Sequence, residues 1–244
     1  MKKEVLLQLI KKPTRRIRIL GLSGILIIAV SIFAYYVGVV SPSLARAFTG
    51  SGDGSTDYPF AITNCSQLQE MNLTKWANYV LVSDIDCSET SSWNNGAGFE
   101  PISNFQGSFD GRGYIIRDLY INRPQDLNPV GLFSYIANGG VRLADVRLDK
   151  NSVNADRVDI TGGGDVGALV GEFQGYIIEN VHSKLTVQTT ATRNNGDGPY
   201  GRAGGLVGSL KSVIDHSSAS GKVTALGTGP TGRNITIGGL VGFM

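Results

Sequence analysis

Gly204-Gly205-Leu206-Val207-Gly208 decides how this chain is read, because the second half keeps returning to it. Val130-Gly131-Leu132-Phe133 and Val166-Gly167-Ala168-Leu169-Val170-Gly171 come before it, and Gly238-Gly239-Leu240-Val241-Gly242 comes after. Aligned on Gly131, Gly167, Gly205 and Gly239, the copies are 36, 38 and 34 residues apart. A steady period of a few tens of residues marks stacked supersecondary units, none able to bury its apolar face alone.

A second landmark runs through the same region. Ile116-Arg117-Asp118-Leu119, Leu143-Ala144-Asp145-Val146, Ile178-Glu179-Asn180-Val181 and Ile214-Asp215-His216-Ser217 share an apolar residue, a variable residue and then Asp, Asn or His. Asp118, Asp145, Asn180 and His216 are 27, 35 and 36 residues apart, and a short alternating segment follows each. The unit therefore reads as three short strands, two turns and a variable loop. Strands too short to pair as hairpins, repeated in register, predict an all-β fold: a parallel β-helix whose coils pair edge to edge. In such a stack the four polar residues sit at a strand bend and satisfy backbone donors locally. Residues 154–164, 190–204 and 225–238 are expected to emerge together after the third strand, where binding surfaces develop on repeat scaffolds.

The first 47 residues differ in kind. Seven Lys and Arg residues precede an uncharged run from Ile19 to Val40, and Arg46 follows it. That run is long enough to cross a bilayer core of about 30 Å as a helix. Ala45-Arg46-Ala47 also has the small-x-small form of a cleavage site. Two readings stay open for 1–47: a cleaved signal peptide, or a membrane anchor held through residues 19–40. Either one exports the remainder. The leader holds eight of the 22 Lys+Arg and one of the 20 Asp+Glu, leaving 14 against 19 in residues 48–244. The exported part is acidic, which removes the support for nucleic-acid binding.

Residues 48–57 are Gly, Ser and Asp rich and read as a flexible lead-in. From 58 to 129 the chain reads as an N-terminal β-helix module, with a first strand near Tyr58–Ile62 and a short helix starting near Asn64. Cys65 and Cys87 are the only cysteines. An even count in an exported domain favours a disulfide over two buried thiols, and their spacing matches one coil. Residues 130–244 carry the repeats. The last copy stops just after it begins, so the sequence is expected to be part of a longer protein.

Catalysis finds little footing. The only histidines, His182 and His216, fall in different repeats, and there is no His-Glu-x-x-His, no Gly-x-Ser-x-Gly elbow and no P-loop. No metal site or cofactor is expected beyond weak calcium binding. The enzymatic alternative is a polysaccharide lyase or glycosidase using Asp84, Asp86 and Asp110, which requires those carboxylates to gather in an open groove.

The Gly-Gly-Leu-Val-Gly repeats resemble the GLUG motif of bacterial surface proteins. The stretch Tyr79 to Cys87, with Phe105 to Gly113 and Leu119 to Pro124, is similar to the module that often precedes it. The resemblance implies a right-handed parallel β-helix and a surface or adhesin-like role, with Gly131, Gly167, Gly171, Gly205, Gly208, Gly239 and Gly242 as structural glycines. It implies no catalytic residues. GLUG repeats also occur beside immunoglobulin-cleaving peptidase domains, so an accessory region of a larger secreted peptidase is a further reading. The leading expectation is a non-catalytic surface stalk or binding module for a glycan or protein.

Overall fold

A computed structural model of the protein describes residues 48–191, 193–194, 199–226 and 234–244, and residues 48–244 form one compact unit. The leader, with both of its readings, lies outside the described residues. Among the described residues no helix is long and apolar enough to cross a membrane.

The unit is a parallel β-solenoid of about four turns. An N-terminal cap comes first: β1 (Phe60–Ile62), α1 (Cys65–Glu70), β2 (Tyr79–Leu81) and β3 (Ile85–Asp86). The first full coil holds β4 (Ser108–Asp110), β5 (Ile115–Arg117), β6 (Ile121–Arg123) and β7 (Phe133–Ile136). The second runs β8 (Arg142–Ala144), β9 (Arg147–Asp149), β10 (Ile160–Gly162), β11 (Asp165–Gly167) and β12 (Val170–Phe173). The third runs β13 (Ile177–Glu179), β14 (His182–Ser183), β15 (Val187–Thr189), β16 (Arg193–Asn194), β17 (Pro199–Gly204) and β18 (Val207–Leu210). The fourth holds β19 (Val213–Asp215), β20 (Ser218–Ala219), β21 (Val223–Ala225), β22 (Asn234–Gly238) and β23 (Val241–Phe243).

Stacking these coils produces five narrow sheets. In the order the chain meets them they are sheet I (β1-β2-β4-β8-β13-β19), sheet II (β3-β5-β9-β14-β20), sheet III (β6-β10-β15-β21), sheet IV (β11-β17-β22, with β16 antiparallel on β17) and sheet V (β7-β12-β18-β23). Register partners Ser108, Arg142, Ile177 and Val213 set the coil at 34, 35 and 36 residues. A coil thus has five strand segments where three were expected. The glycine-rich run holds two strands, β11 and β12, rather than one, and the segments read as one third strand belong to two sheets, residues 146–148 meeting β9 and residues 185–187 meeting β15.

Sheets I and III align an inward apolar residue from rung to rung. Phe109, Leu143 and Ile178 are fully buried partners in sheet I, and Ile121, Ile160 and Val187 in sheet III. Aromatic rings continue this column into the cap, from Phe133 through Phe105, Tyr79 and Phe60 to Phe48. The fourth coil is the least covered, with Val213 56 % and Ile237 51 % exposed.

Two domain expectations are corrected. Residues 48–57 do not behave as a flexible lead-in but pack as a cap. Phe48 is buried against Phe60, the Ala61 N–H donates to the Ser51 carbonyl at 2.8 Å, and Gly52 and Gly54 take φ of 100° and 79°. Glycine supplies those angles without steric cost, so the polar composition here encodes tight turns. Nor does a boundary fall between 129 and 130. Ile102 pairs with Phe133, and β4 pairs with β8, across that point.

Asn64 caps α1, its side chain accepting from the Gln67 N–H at 2.9 Å. Gln67 reaches back to accept from the Thr63 N–H at 2.8 Å. This is close to a capping box, with Asn64 as the cap and Gln67 reaching back to the residue before it.

Candidate functional site: corners, glycine lattice and cleft

The sheet I–II corner is built from residues in the left-handed region. Asp145, Asn180 and His216 take φ of 54°, 50° and 42°, and they follow register-matched strands β8, β13 and β19. Asp, Asn and His tolerate this region better than most side chains because they bond locally to backbone. The stack is linked rung to rung: Asn180 Nδ2 donates to Asp145 Oδ1 at 2.5 Å, and His182 bridges Asn180 Oδ1 and Ser218 Oγ at 3.1 and 2.8 Å. Asp118 does not join this column. It follows β5 in sheet II, one corner further along, and the residue aligned with Asp145 in that coil is Gly111. Asp118 takes φ of 56°, close to that of Asp145, so both carry the same local sequence pattern, and the 27-residue step was the sign of a change of corner.

Asp118 instead anchors a connection. With no exposed surface, its carboxylate accepts from the Asn151 N–H at 3.0 Å and from Asn154 Nδ2 at 2.8 Å. Arg157 reaches the Asp118 carbonyl and also pairs with the fully buried Asp159, each at 3.1 Å. Lys150 Nζ lies 3.2 Å from the other Asp159 oxygen and donates to Thr186 Oγ1 at 2.8 Å. Buried charges are tolerated when paired and hydrogen-bonded in this manner. The network folds residues 150–158 onto the stack between sheets II and III. The three expected loops therefore do not share one exit. Connection 150–159 leaves between sheets II and III, whereas the β15–β17 and β21–β22 connections leave between sheets III and IV.

The repeat glycines lie where sheets IV and V cross backbone to backbone. A Cβ on Gly208 would sit 2.5 Å from both the Gly171 carbonyl and the Val166 nitrogen. On Gly171 it would meet the Val130 nitrogen at 2.5 Å, and on Gly242 the Ala203 nitrogen at 2.8 Å. Gly167 aligns with Gly204 and Gly238 rather than with Gly205 and Gly239. Gly131 joins that column through the Val130–Val166 bridge. The later copies carry two glycines before the leucine, and matching Gly167 to the second of them, Gly205 and Gly239, shifted the column by one.

Cys65 on α1 and Cys87 just after β3 are joined by a disulfide, with Cα atoms 5.2 Å apart, and their separation of 22 residues falls within the cap and short of a full coil. Asp84, Asp86 and Asp110 are each engaged in hydrogen bonds within the fold. Asp84 accepts from the Ile115 N–H at 2.9 Å and pairs with Arg117 at 3.1 Å. Asp86 accepts from the Ser88 N–H and Asp110 from the Arg112 N–H, both at 2.8 Å. Among the described residues no group of three His, Cys, Asp or Glu side chains could hold a metal ion.

An open cleft of about 600 Å³ was not foreseen. Its floor is Tyr135 on β7 and Glu172 on β12, and its walls are residues 100–104 and the 123–129 connection. It lies where sheet IV has not yet begun: residues 124–129 lead from β6 to the Val130 bridge without a strand. Arg123 at the end of β6 lines it with Glu100 and Asp126. The contributors span more than seventy positions and meet only because coils stack in parallel, so no local motif announces them.

These features define a glycine-punctuated parallel β-solenoid. The GLUG motif matches residues 200–224, one circuit of the coil from β17 to β21. Halomucin of Haloquadratum walsbyi is 39 % identical over 177 residues, 69 % of this chain and 2 % of that protein. A protein of Evansella cellulosilytica described as a Gly-rich membrane protein is 31 % identical over 179 residues, 70 % of this chain and 19 % of its own length. The chain thus spans a small part of either relative. A crystal structure described as an immunoglobulin A1 protease from Bacteroides ovatus superposes with a TM-score of 0.48 at 17 % identity, covering 76 % of this chain and 66 % of that one.

Proposed function

We propose that this chain is a non-catalytic, exported repeat protein that works as a surface stalk or adhesin-like binding module. One observation carries the reading. The coils stack in register, and the corner side chains that could do chemistry are engaged in bonds from rung to rung. Such a scaffold is rigid along its axis and presents whatever leaves its corners. The β15–β17 and β21–β22 connections both run from sheet III to sheet IV in successive coils, where a glycan or protein ligand would bind; residues 192, 195–198 and 227–233 of these loops lie outside the described residues. The leader supplies export, and residues 19–40 supply a membrane anchor if it is retained. The names of halomucin and the Gly-rich membrane protein agree with a place at the cell surface. No cofactor is needed for this role.

The test is an epitope inserted among residues 226–233 of the full chain, expressed in a bacterial host. Antibody labelling of intact cells is expected. Labelling that appears only after permeabilisation sinks the reading.

A further inference from the structure

Asn138-Gly139-Gly140 forms the turn between β7 and β8, at the corner where sheet V gives way to sheet I. All three residues are exposed. The Val141 N–H closes the turn on the Asn138 backbone carbonyl at 3.1 Å, and the Gly140 N–H donates to the Asn138 side-chain oxygen at 2.9 Å. The second bond is of the local kind that Asn makes in turns. It also has a chemical effect. A donor fixed on a carbonyl oxygen stabilises the charge that gathers there when a nucleophile adds to the carbon.

The nucleophile is the next backbone nitrogen. The Gly139 N–H donates to no group among the described residues. Gly139 has no side chain to shield that nitrogen, and a Cβ built there would have nothing within 4 Å. Tethering nitrogen and amide carbon within one residue makes their encounter intramolecular, which removes most of its entropic cost.

We infer that Asn138 is a self-modification site, converting to aspartate and isoaspartate through a cyclic imide. The Gly139 nitrogen gives its proton to solvent and bonds to the Asn138 side-chain carbon. The bond from that carbon to Nδ2 breaks, and the nitrogen leaves as ammonia after taking a proton from water. Solvent water then opens the imide. Attack on one carbonyl gives aspartate, and attack on the other gives isoaspartate, whose main chain runs through the former side chain. One water is consumed and one ammonia released, with no oxidant, reductant or enzyme. Either product adds a negative charge. Isoaspartate also lengthens the main chain just before Val141, whose carbonyl receives the Tyr176 N–H of the next coil at 2.8 Å. The inference goes beyond the display role and does not depend on it.

Asn95-Gly96 supplies a comparison within the same chain. Asn95 is also exposed, but among the described residues no hydrogen bond holds its side chain. The third Asn-Gly pair, Asn195-Gly196, lies outside the described residues.

The experiment ages the full chain, purified in detergent, at mildly alkaline pH and in parallel under mild acid. Mass spectrometry with electron-transfer fragmentation follows each Asn-Gly peptide and separates aspartate from isoaspartate. Expected is conversion at Asn138 that outruns Asn95 and is no slower than in a synthetic peptide of residues 134–143. It should slow in acid, because the nitrogen must give up its proton before it attacks. Gly139→Ala should slow it tenfold or more at unchanged Tm, since the added methyl crowds the nitrogen but meets nothing in the fold. The inference is overturned if Asn138 stays intact or converts no faster than Asn95, if the folded chain converts more slowly than the peptide, or if Gly139→Ala leaves the rate unchanged. The comparison of Asn138 with Asn95 uses the unsubstituted chain, so it decides the matter even if the variant fails to fold.

Discussion

Gly205 and Gly239 are one coil apart, yet a methyl group meets different surroundings at each. On Gly205 it would overlap the Gly239 carbonyl and lie 2.6 Å from Ala219 Cβ; on Gly239 nothing lies within 4 Å. Overpacking of this kind costs about 1–3 kcal/mol, so Gly205→Ala should lower Tm by several degrees. Gly239→Ala should remain within about 0.5 kcal/mol of the parent. Thermal melts of the two variants side by side decide the matter. Asp149 shows the same dependence on place in its titration. Burial pushes its carboxyl up, but bonds from Lys184 Nζ at 2.9 Å and from the Lys150 N–H prevail and hold it below the ordinary carboxylate value. A carboxylate lowered in the folded state favours folding above its unfolded pKa, and that contribution fades as pH falls through the folded value. Lys184→Ala should therefore cost stability chiefly at pH 7, by no more than about 1 kcal/mol for so exposed a lysine, and the gap from the parent should close as pH falls through the folded value; melts between pH 2 and 7 read the convergence. Burial drives the Tyr79 phenol the other way, to about 12, so it stays protonated and donates to the Thr74 carbonyl at 2.9 Å.

Among the elements, the 150–159 connection reversed its reading most clearly. Residues 154–164 read in the sequence as a display loop, but Asp118 and Asp159 turn Lys150, Asn151, Asn154 and Arg157 of this connection into anchors. Removing one partner from a buried pair leaves a charge uncompensated, at a cost of about 3–5 kcal/mol. Arg157→Ala should loosen the connection enough for rapid proteolytic nicking within residues 150–158, whereas Lys184→Ala should not; mass spectrometry of the fragments locates the cut. The period of the strands was legible because each rung repeats an apolar centre, as in Leu143 and Ile178. Their number was not, since Val170-Gly171-Glu172-Phe173 carries an alternation too brief to separate from a turn. The corner residues misled for a related reason: one backbone angle selects one set of side chains wherever it occurs, so Asp118 imitates Asp145.

For the whole molecule, the solenoid follows from the period and the cleft does not. Periodicity along the chain becomes stacking along an axis, which the sequence displays directly. The cleft arises from the one position in the first coil where a strand is missing, and its residues Glu100, Arg123 and Glu172 belong to three successive turns. The stacking has a mechanical consequence. Every ladder bond between coils points along the axis, so a pull from end to end loads the rungs in series, and the weakest yields alone while the others hold. A coil of about 35 residues, once opened, releases on the order of 120 Å of slack. Cys65–Cys87 bridges only the cap, so extension should begin among the coils beyond it, giving a tether that lengthens stepwise under load before it breaks.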